Sequence, residues 1–270
     1  MTLLEDQPAG GARQEDKLLA LMKPLDVEAF AWQHANDITL DPDTVATLSY
    51  MARVELATEV YQRTLCTTRA AHDPYVSAFL GAWLHEELPH GELFTRLLAH
   101  QGHAVLDERQ TWGMRLTLLR GRVLNTAMAR IFRQHFFAVH MAWGAVNEQS
   151  TLQGYLELAR RTEHPLLRDV LAAIIKQERR HYAFYSTMAK RQLDASAFSR
   201  RLTRFALARF WTPVGVGVRP RHEAEAVIRH LFPHGSTTAA DIDRRVDDLP
   251  GCDGLGLLDK AARRAWAAAA

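Results

Sequence analysis

Two E-x-x-H quartets constrain this chain more than any other feature: Glu87-Leu88-Pro89-His90 and Glu178-Arg179-Arg180-His181. Residues three apart share one face of a helix. Each quartet interrupts an apolar seam. The first seam reads Val76, Leu80, Trp83, Glu87, His90, Phe94, Leu97. The second reads Leu167, Leu171, Ile174, Glu178, His181, Tyr185, Met188. Both step by alternating fours and threes, the spacing of the inward stripe of a bundled helix. The Glu and His of each quartet are therefore expected in a core, with apolar side chains above and below.

Two further helices each bring a lone acid to the seam. Leu48, Ala52, Glu55 and Glu59 line up on the first. Phe137, Met141, Gly144, Glu148, Thr151 and Tyr155 line up on the third. Antiparallel neighbours meet at equal distances from their turn. The midpoint of 55 and 87 is 71, inside the loop Arg69–Asp73, and that of 148 and 178 is 163, inside the loop Arg161–Pro165. Each lone Glu thus lies level with a quartet. Glu59 is the alternative to Glu55, which the midpoint favours. Glu86 could pair with His90 at i,i+4 but leaves the seam, where it is solvated or supports a ligand from behind.

Four carboxylates and two imidazoles at one height in a core would repel strongly unless cations join them. A Glu from each of two helices plus E-x-x-H from the other two is the ligand set of carboxylate-bridged di-iron or di-manganese bundles. Oxygen and imidazole donors without thiolates suit iron or manganese rather than structural zinc. A single E-x-x-H is commonly a solvated surface pair; two on seams, with level-matched acids, are not explained that way.

Composition bounds the rest. Of 270 residues, 47% are hydrophobic and 24% charged, enough to build a large core and to exclude a long disordered chain. Lys and Arg number 33 against 31 Asp and Glu, and a net charge of +2 argues against nucleic-acid coating. Cys66 and Cys252 are the only cysteines, which excludes a disulfide scaffold and fits a reducing cytosol. No apolar window is long enough for a membrane span, and the first residues lack the apolar run of a signal peptide.

Helix signals dominate, so the fold class is all-α. Asp41-Pro42 starts a helix running to about Cys66, Asp73-Pro74 one to about Gly102, and His164-Pro165 one to near Leu193. The third helix runs from about Arg122 to Ala159, after a long connection with a short helix near Trp112–Leu119. Pro89 removes a backbone bond to the His85 carbonyl and should kink its helix. Residues 1–40 read as a partly disordered lead-in, 41–195 as a four-helix bundle, and 196–270 as an extension. Helices are expected there at Phe198–Trp211 and Arg221–Leu231. His85, His135 and His140 read as core or boundary residues, and His164 as a helix start.

These motifs resemble the soluble acyl-carrier-protein desaturases, within the ferritin-like di-iron proteins. The resemblance rests on Glu86-Glu87-Leu88-Pro89-His90-Gly91, on Gln177-Glu178-Arg179-Arg180-His181, on Glu148-Gln149-Ser150-Thr151, and on Glu55 with Tyr61-Gln62, over about residues 40–195. It implies a ferritin-like four-helix bundle with a long crossover. It implies that Glu55, Glu87, His90, Glu148, Glu178 and His181 hold two irons (or manganese), with Glu87 and Glu178 bridging. Thr151 would lie by the oxygen position and deliver a proton, or else be a core hydroxyl bonded back to its helix. O2, an external ferredoxin-like reductant, an acyl chain on acyl carrier protein and a homodimer are the family expectations. Acidic carriers would dock on basic surface, for which Arg115, Arg120, Arg122, Arg130 and Arg133, or Arg191, Arg200, Arg201, Arg204 and Arg209, are candidates. Gln177 stands where the family has Asp. Hydroxylation or N-oxygenation of a metabolite is the runner-up, although Ile174 stands where several N-oxygenases place a third His. Iron oxidation and storage is the alternative from another class. Phe94, where ribonucleotide reductase small subunits carry a radical Tyr, argues against that activity.

Overall fold

A computed structural model describes residues 14–66, 68–105, 127–132, 134–233 and 237–269. The described residues are helical with no strand. The core helices are α2 (Pro42–Leu56), α4 (Pro74–His100), α5 (Gln134–Arg161) and α6 (Pro165–Asp194), with α1 (Gln14–Ala20) and α3 (Thr58–Cys66) flanking. The extension forms α7 (Ala197–Phe210), α8 (Arg221–Leu231), α9 (Thr237–Asp247) and α10 (Leu257–Ala267).

The start signals act as their chemistry requires. Asp41 Oδ1 accepts the Thr44 amide at 2.9 Å, Asp73 Oδ1 accepts those of Tyr75 and Val76, and His164 Nδ1 accepts that of Leu167. Each cap is followed by Pro at the first helical position. Helix α4 continues through Pro89 to His100. Its seam residues Val76, Leu80, Phe94 and Leu97, and Leu167, Leu171, Ile174 and Met188 of α6, are all buried.

Three features differ from the sequence reading. The first helix is interrupted at Ala57, whose amide is shared among the carbonyls of Arg53, Val54 and Glu55 as the last turn tightens. Within the stretch read as a partly disordered lead-in, residues 14–40 pack against the helices, and residues 1–13 lie outside the described residues: Trp32 and Ala35 are buried, and Trp32 Nε1 donates to the Val27 carbonyl. The extension also holds two helices, α9 and α10, that its Pro and Gly content obscured. The start of the third helix at Arg122 and the short helix at Trp112–Leu119 lie outside the described residues. So do Arg115, Arg120, Arg122 and Arg133.

The extension is part of the core. Helix α7 packs on α5, and α8 packs on α2 and α10. Between α7 and α8, Thr212–Val218 crosses the end of α2, where Tyr50 Oη donates to the Val214 carbonyl at 2.6 Å. Gly215 is needed there: its φ is +88°, and a Cβ would lie 2.2 Å from Tyr50 Oη and 2.6 Å from Val54 Cγ2.

Candidate metal centre

The six expected ligands converge. Glu55, Glu87, His90 and Glu178 each offer one ligand atom within 4.8 Å of the others, and so do Glu87, Glu148, Glu178 and His181. Glu87 and Glu178 belong to both groups. All six side chains are buried, at 0–6% exposure. Helix α2 supplies Glu55, α4 supplies Glu87 and His90, α5 supplies Glu148, and α6 supplies Glu178 and His181. Glu59 is elsewhere: it is exposed and paired with Arg63.

Both imidazoles turn Nδ1 inward. His90 Nδ1 lies 3.1 Å from Glu87 Oε2 and 3.3 Å from Glu178 Oε1. His181 Nδ1 lies 3.0 Å from Glu87 Oε1, 3.8 Å from Glu148 Oε2 and 3.9 Å from Glu178 Oε2. The outward nitrogens are held by the residues just before the two shared acids. His90 Nε2 donates to Gln177 Oε1 at 2.7 Å, and His181 Nε2 donates to Glu86 Oε2 at 2.8 Å. Glu86 is therefore buried behind a ligand and not solvated. It also accepts Arg180 Nη2 at 2.8 Å, Gln177 Nε2 at 3.0 Å and the Lys23 amide at 2.6 Å. Gln177 Nε2 donates to the Lys23 carbonyl as well. The backbone of Lys23, in the segment that read as a lead-in, thus ties both outer groups together. No local sequence pattern marks a residue that contributes only its peptide group.

The electrostatics fit cations. Among the described residues, both Glu178 oxygens and His181 Nδ1 are buried with close N···O neighbours but no aligned hydrogen bond. An unmet buried polar group costs about 1–3 kcal/mol, and a charged one more. Burial, then the nearby Glu87 and Glu178 charges, push Glu55 well above the usual carboxylate range. Burial, then Glu178 and Glu87, do the same to Glu148. Burial opposes protonation of His90, but the Glu178 and Glu87 carboxylates beside its Nδ1 outweigh it and raise that imidazole to about 9. Two divalent cations between these groups would supply positive charge without protons and meet the orphaned atoms. The donor set, oxygens with two imidazoles, is the chemistry of a metal centre.

A cavity of about 400 Å³ adjoins the carboxylate side of the cluster. Its floor carries Glu55, Glu87, Glu148 and Glu178, its walls Tyr61, Trp83, Trp143 and Val54, and its cover the Thr212–Val218 loop. A smaller cavity of about 80 Å³ continues beside it between α2, α5 and α8, sharing Val54, Glu55, Thr151, Pro213 and Val214. Thr151 lines both. Its hydroxyl has no hydrogen-bond partner among the described residues, whereas neighbouring Ser150 bonds back to the Val146 carbonyl at 2.7 Å.

The other singled-out residues fall away from the centre. His85 is exposed. His135 Nδ1 meets Ser199 Oγ at 2.8 Å, and His140 is buried against Phe136. Arg200 donates to the Leu193 and Asp194 carbonyls and Arg204 to those of Gly251 and Asp253, so two members of the second basic run tie the fold together. No helix of the described residues is long and apolar enough to cross a membrane. Comparison with family models, with curated proteins and with solved structures gives no match to this chain, and the motifs alone carry its family resemblance.

Proposed function

We propose that the buried Glu/His cluster is a dinuclear iron or manganese centre of an O2-dependent oxidoreductase that oxidises an unactivated C–H bond of a substrate held in the adjoining cavity. The observation that carries this reading is the sharing of Glu87 and Glu178 by two ligand groups, each with its own Glu and its own His, beside a cavity. When bound, a metal pair of this ligand type supplies oxygen activation that no side chain can provide.

The chain's own residues would do the remaining work. Glu87 and Glu178 would bridge, Glu55 with His90 would complete one metal position, and Glu148 with His181 the other. Gln177 and Glu86 fix the imidazole orientations. Val54, Trp83 and Trp143 line the carboxylate face with apolar surface. Thr151 Oγ, one turn beyond Glu148 and without a hydrogen-bond partner among the described residues, can hold a proton at the cavity wall.

The resemblance to acyl-carrier-protein desaturases supports a fatty acyl chain as substrate, with the smaller cavity taking an apolar portion. A carrier would then meet Arg201 and Arg209 of α7, which make no hydrogen bond or ion pair among the described residues, rather than Arg200 and Arg204, which are committed to backbone carbonyls. An external reductant completes the scheme. A second reading keeps the metals but oxygenates a compact metabolite. The cavity volume favours it, lying near the lower end of the range of about 300–1,000 Å³ for small-molecule sites.

The test is metal content per chain with an optical spectrum, on wild type and on Glu148→Ala. Two irons per chain, with near-ultraviolet oxo-bridge absorption lost in the variant, is the expected result. A chain that folds, takes up no metal after iron loading, and is unchanged by Glu148→Ala would overturn the proposal.

A further inference from the structure

The two halves of the cluster have the same donors but different support. His90 Nε2 ends on a neutral amide oxygen, Gln177 Oε1 at 2.7 Å. His181 Nε2 ends on a carboxylate oxygen, Glu86 Oε2 at 2.8 Å. A carboxylate acceptor makes a metal-binding imidazole more basic than an amide does. Arg180, Gln177 and the Lys23 amide all converge on the opposite oxygen, Glu86 Oε1, which leaves Oε2 to the imidazole. Arg180 moderates the effect of the carboxylate but does not replace it as the acceptor.

The lone acids differ in the same direction. Tyr155 Oη donates to Glu55 Oε1, drawing electron density from a ligand that belongs only to the His90 half. Glu148, its counterpart in the His181 half, has no hydroxyl donor among the described residues and faces His181 Nδ1 instead. One half thus has a neutral support and a blunted carboxylate. The other has an anionic support and an unblunted carboxylate.

We propose that the two metal positions are inequivalent: the one completed by Glu148 and His181 binds a divalent cation more tightly and fills first, and the one completed by Glu55 and His90 fills second. The inference rests on reading the cluster as a dinuclear centre. Glu86, Gln177 and Tyr155 are then positioning residues that set the order of loading through the ligands they touch. A chain built this way passes through a singly loaded form with its metal on the α5–α6 side, and can take two different metals in a fixed arrangement.

Half-site variants of the full chain test this with manganese(II) alone, the free ion being counted by electron paramagnetic resonance. Glu55→Gln leaves the His181 position to be measured, and Glu148→Gln leaves the His90 position. The His181 position is expected to bind about tenfold more tightly, the lower end of the about 10–100-fold range for such supporting groups. Adding Glu86→Gln to Glu55→Gln should remove that advantage. Adding Tyr155→Phe to Glu148→Gln should raise affinity severalfold, a gain that damage to the fold cannot produce. Equal affinities in the two half-sites, or no gain from Tyr155→Phe, would overturn the inference while leaving a dinuclear centre standing. Absence of manganese binding to the wild-type chain would remove the dinuclear reading itself, and the inference with it.

Discussion

The histidine side and the carboxylate side of the cluster are built on opposite plans. Behind the histidines, Glu86, Gln177, Arg180 and the Lys23 peptide form a closed hydrogen-bonded network. In front of the carboxylates lies a cavity of about 400 Å³ under a glycine-bearing loop. A network anchored at several points fixes ligand orientation. A cavity next to unmet carboxylates leaves room for a reacting molecule. The comparison teaches that core helices supply both faces of this centre and that a segment outside them completes each one: the Lys23 peptide behind the histidines and the Thr212–Val218 loop at the cavity.

The largest expected effect comes from the residue both plans share. Glu178→Gln should abolish loading at both positions, since each ligand group contains Glu178. Elemental analysis should fall from two metals per chain toward none, with the helical circular-dichroism spectrum kept. Retention of one full equivalent would show that Glu178 does not bridge.

His140 belongs to neither side and sets the acid limit for comparing them. Burial lowers its imidazole to about 4. The unfolded chain then binds a proton that the folded chain refuses, so stability is lost as pH falls from about 6.5 to about 4, by up to about 3.5 kcal/mol at about 1.4 kcal/mol per pH unit. His140→Phe should flatten that window in denaturant titrations of the metal-free protein. An unchanged acid slope would assign the loss to other groups.

Gly215→Ala attacks the cavity side alone. Its positive φ and the contact with Tyr50 should destabilise the fold by about 1–3 kcal/mol. Metal affinity should change little, because the histidine side is untouched. If affinity falls with stability, the two sides are coupled. The smallest effect is expected from Tyr50→Phe, which removes the hydrogen bond to the Val214 carbonyl and should cost about 1 kcal/mol in chemical denaturation.

Much of the centre was legible because helices are periodic. The four-three spacing put Glu87, His90, Glu178 and His181 inward, and the hairpin midpoints put Glu55 and Glu148 level with them. Glu59 was a real alternative on the same seam, and the break at Ala57 is where the stripe ends: Glu59 then faces solvent with Arg63. Glu86 was readable as solvated or supporting, and only its contact with His181 across 95 positions of sequence distinguishes these. The placement of Gln177 was visible, but its partner was not, because an amide can serve either imidazole or neither.

The sequence by itself determined the helical class, the caps and the six residues that converge, since all of these follow from local hydrogen bonding and from a repeat that needs no knowledge of distant contacts. Tertiary structure alone decided how the site is closed and opened. The Lys23 peptide reaches Glu86 across 63 positions and Tyr50 reaches Val214 across 164. These bonds use backbone groups, which every residue carries alike, so no residue pattern encodes them and only the folded chain selects which ones meet.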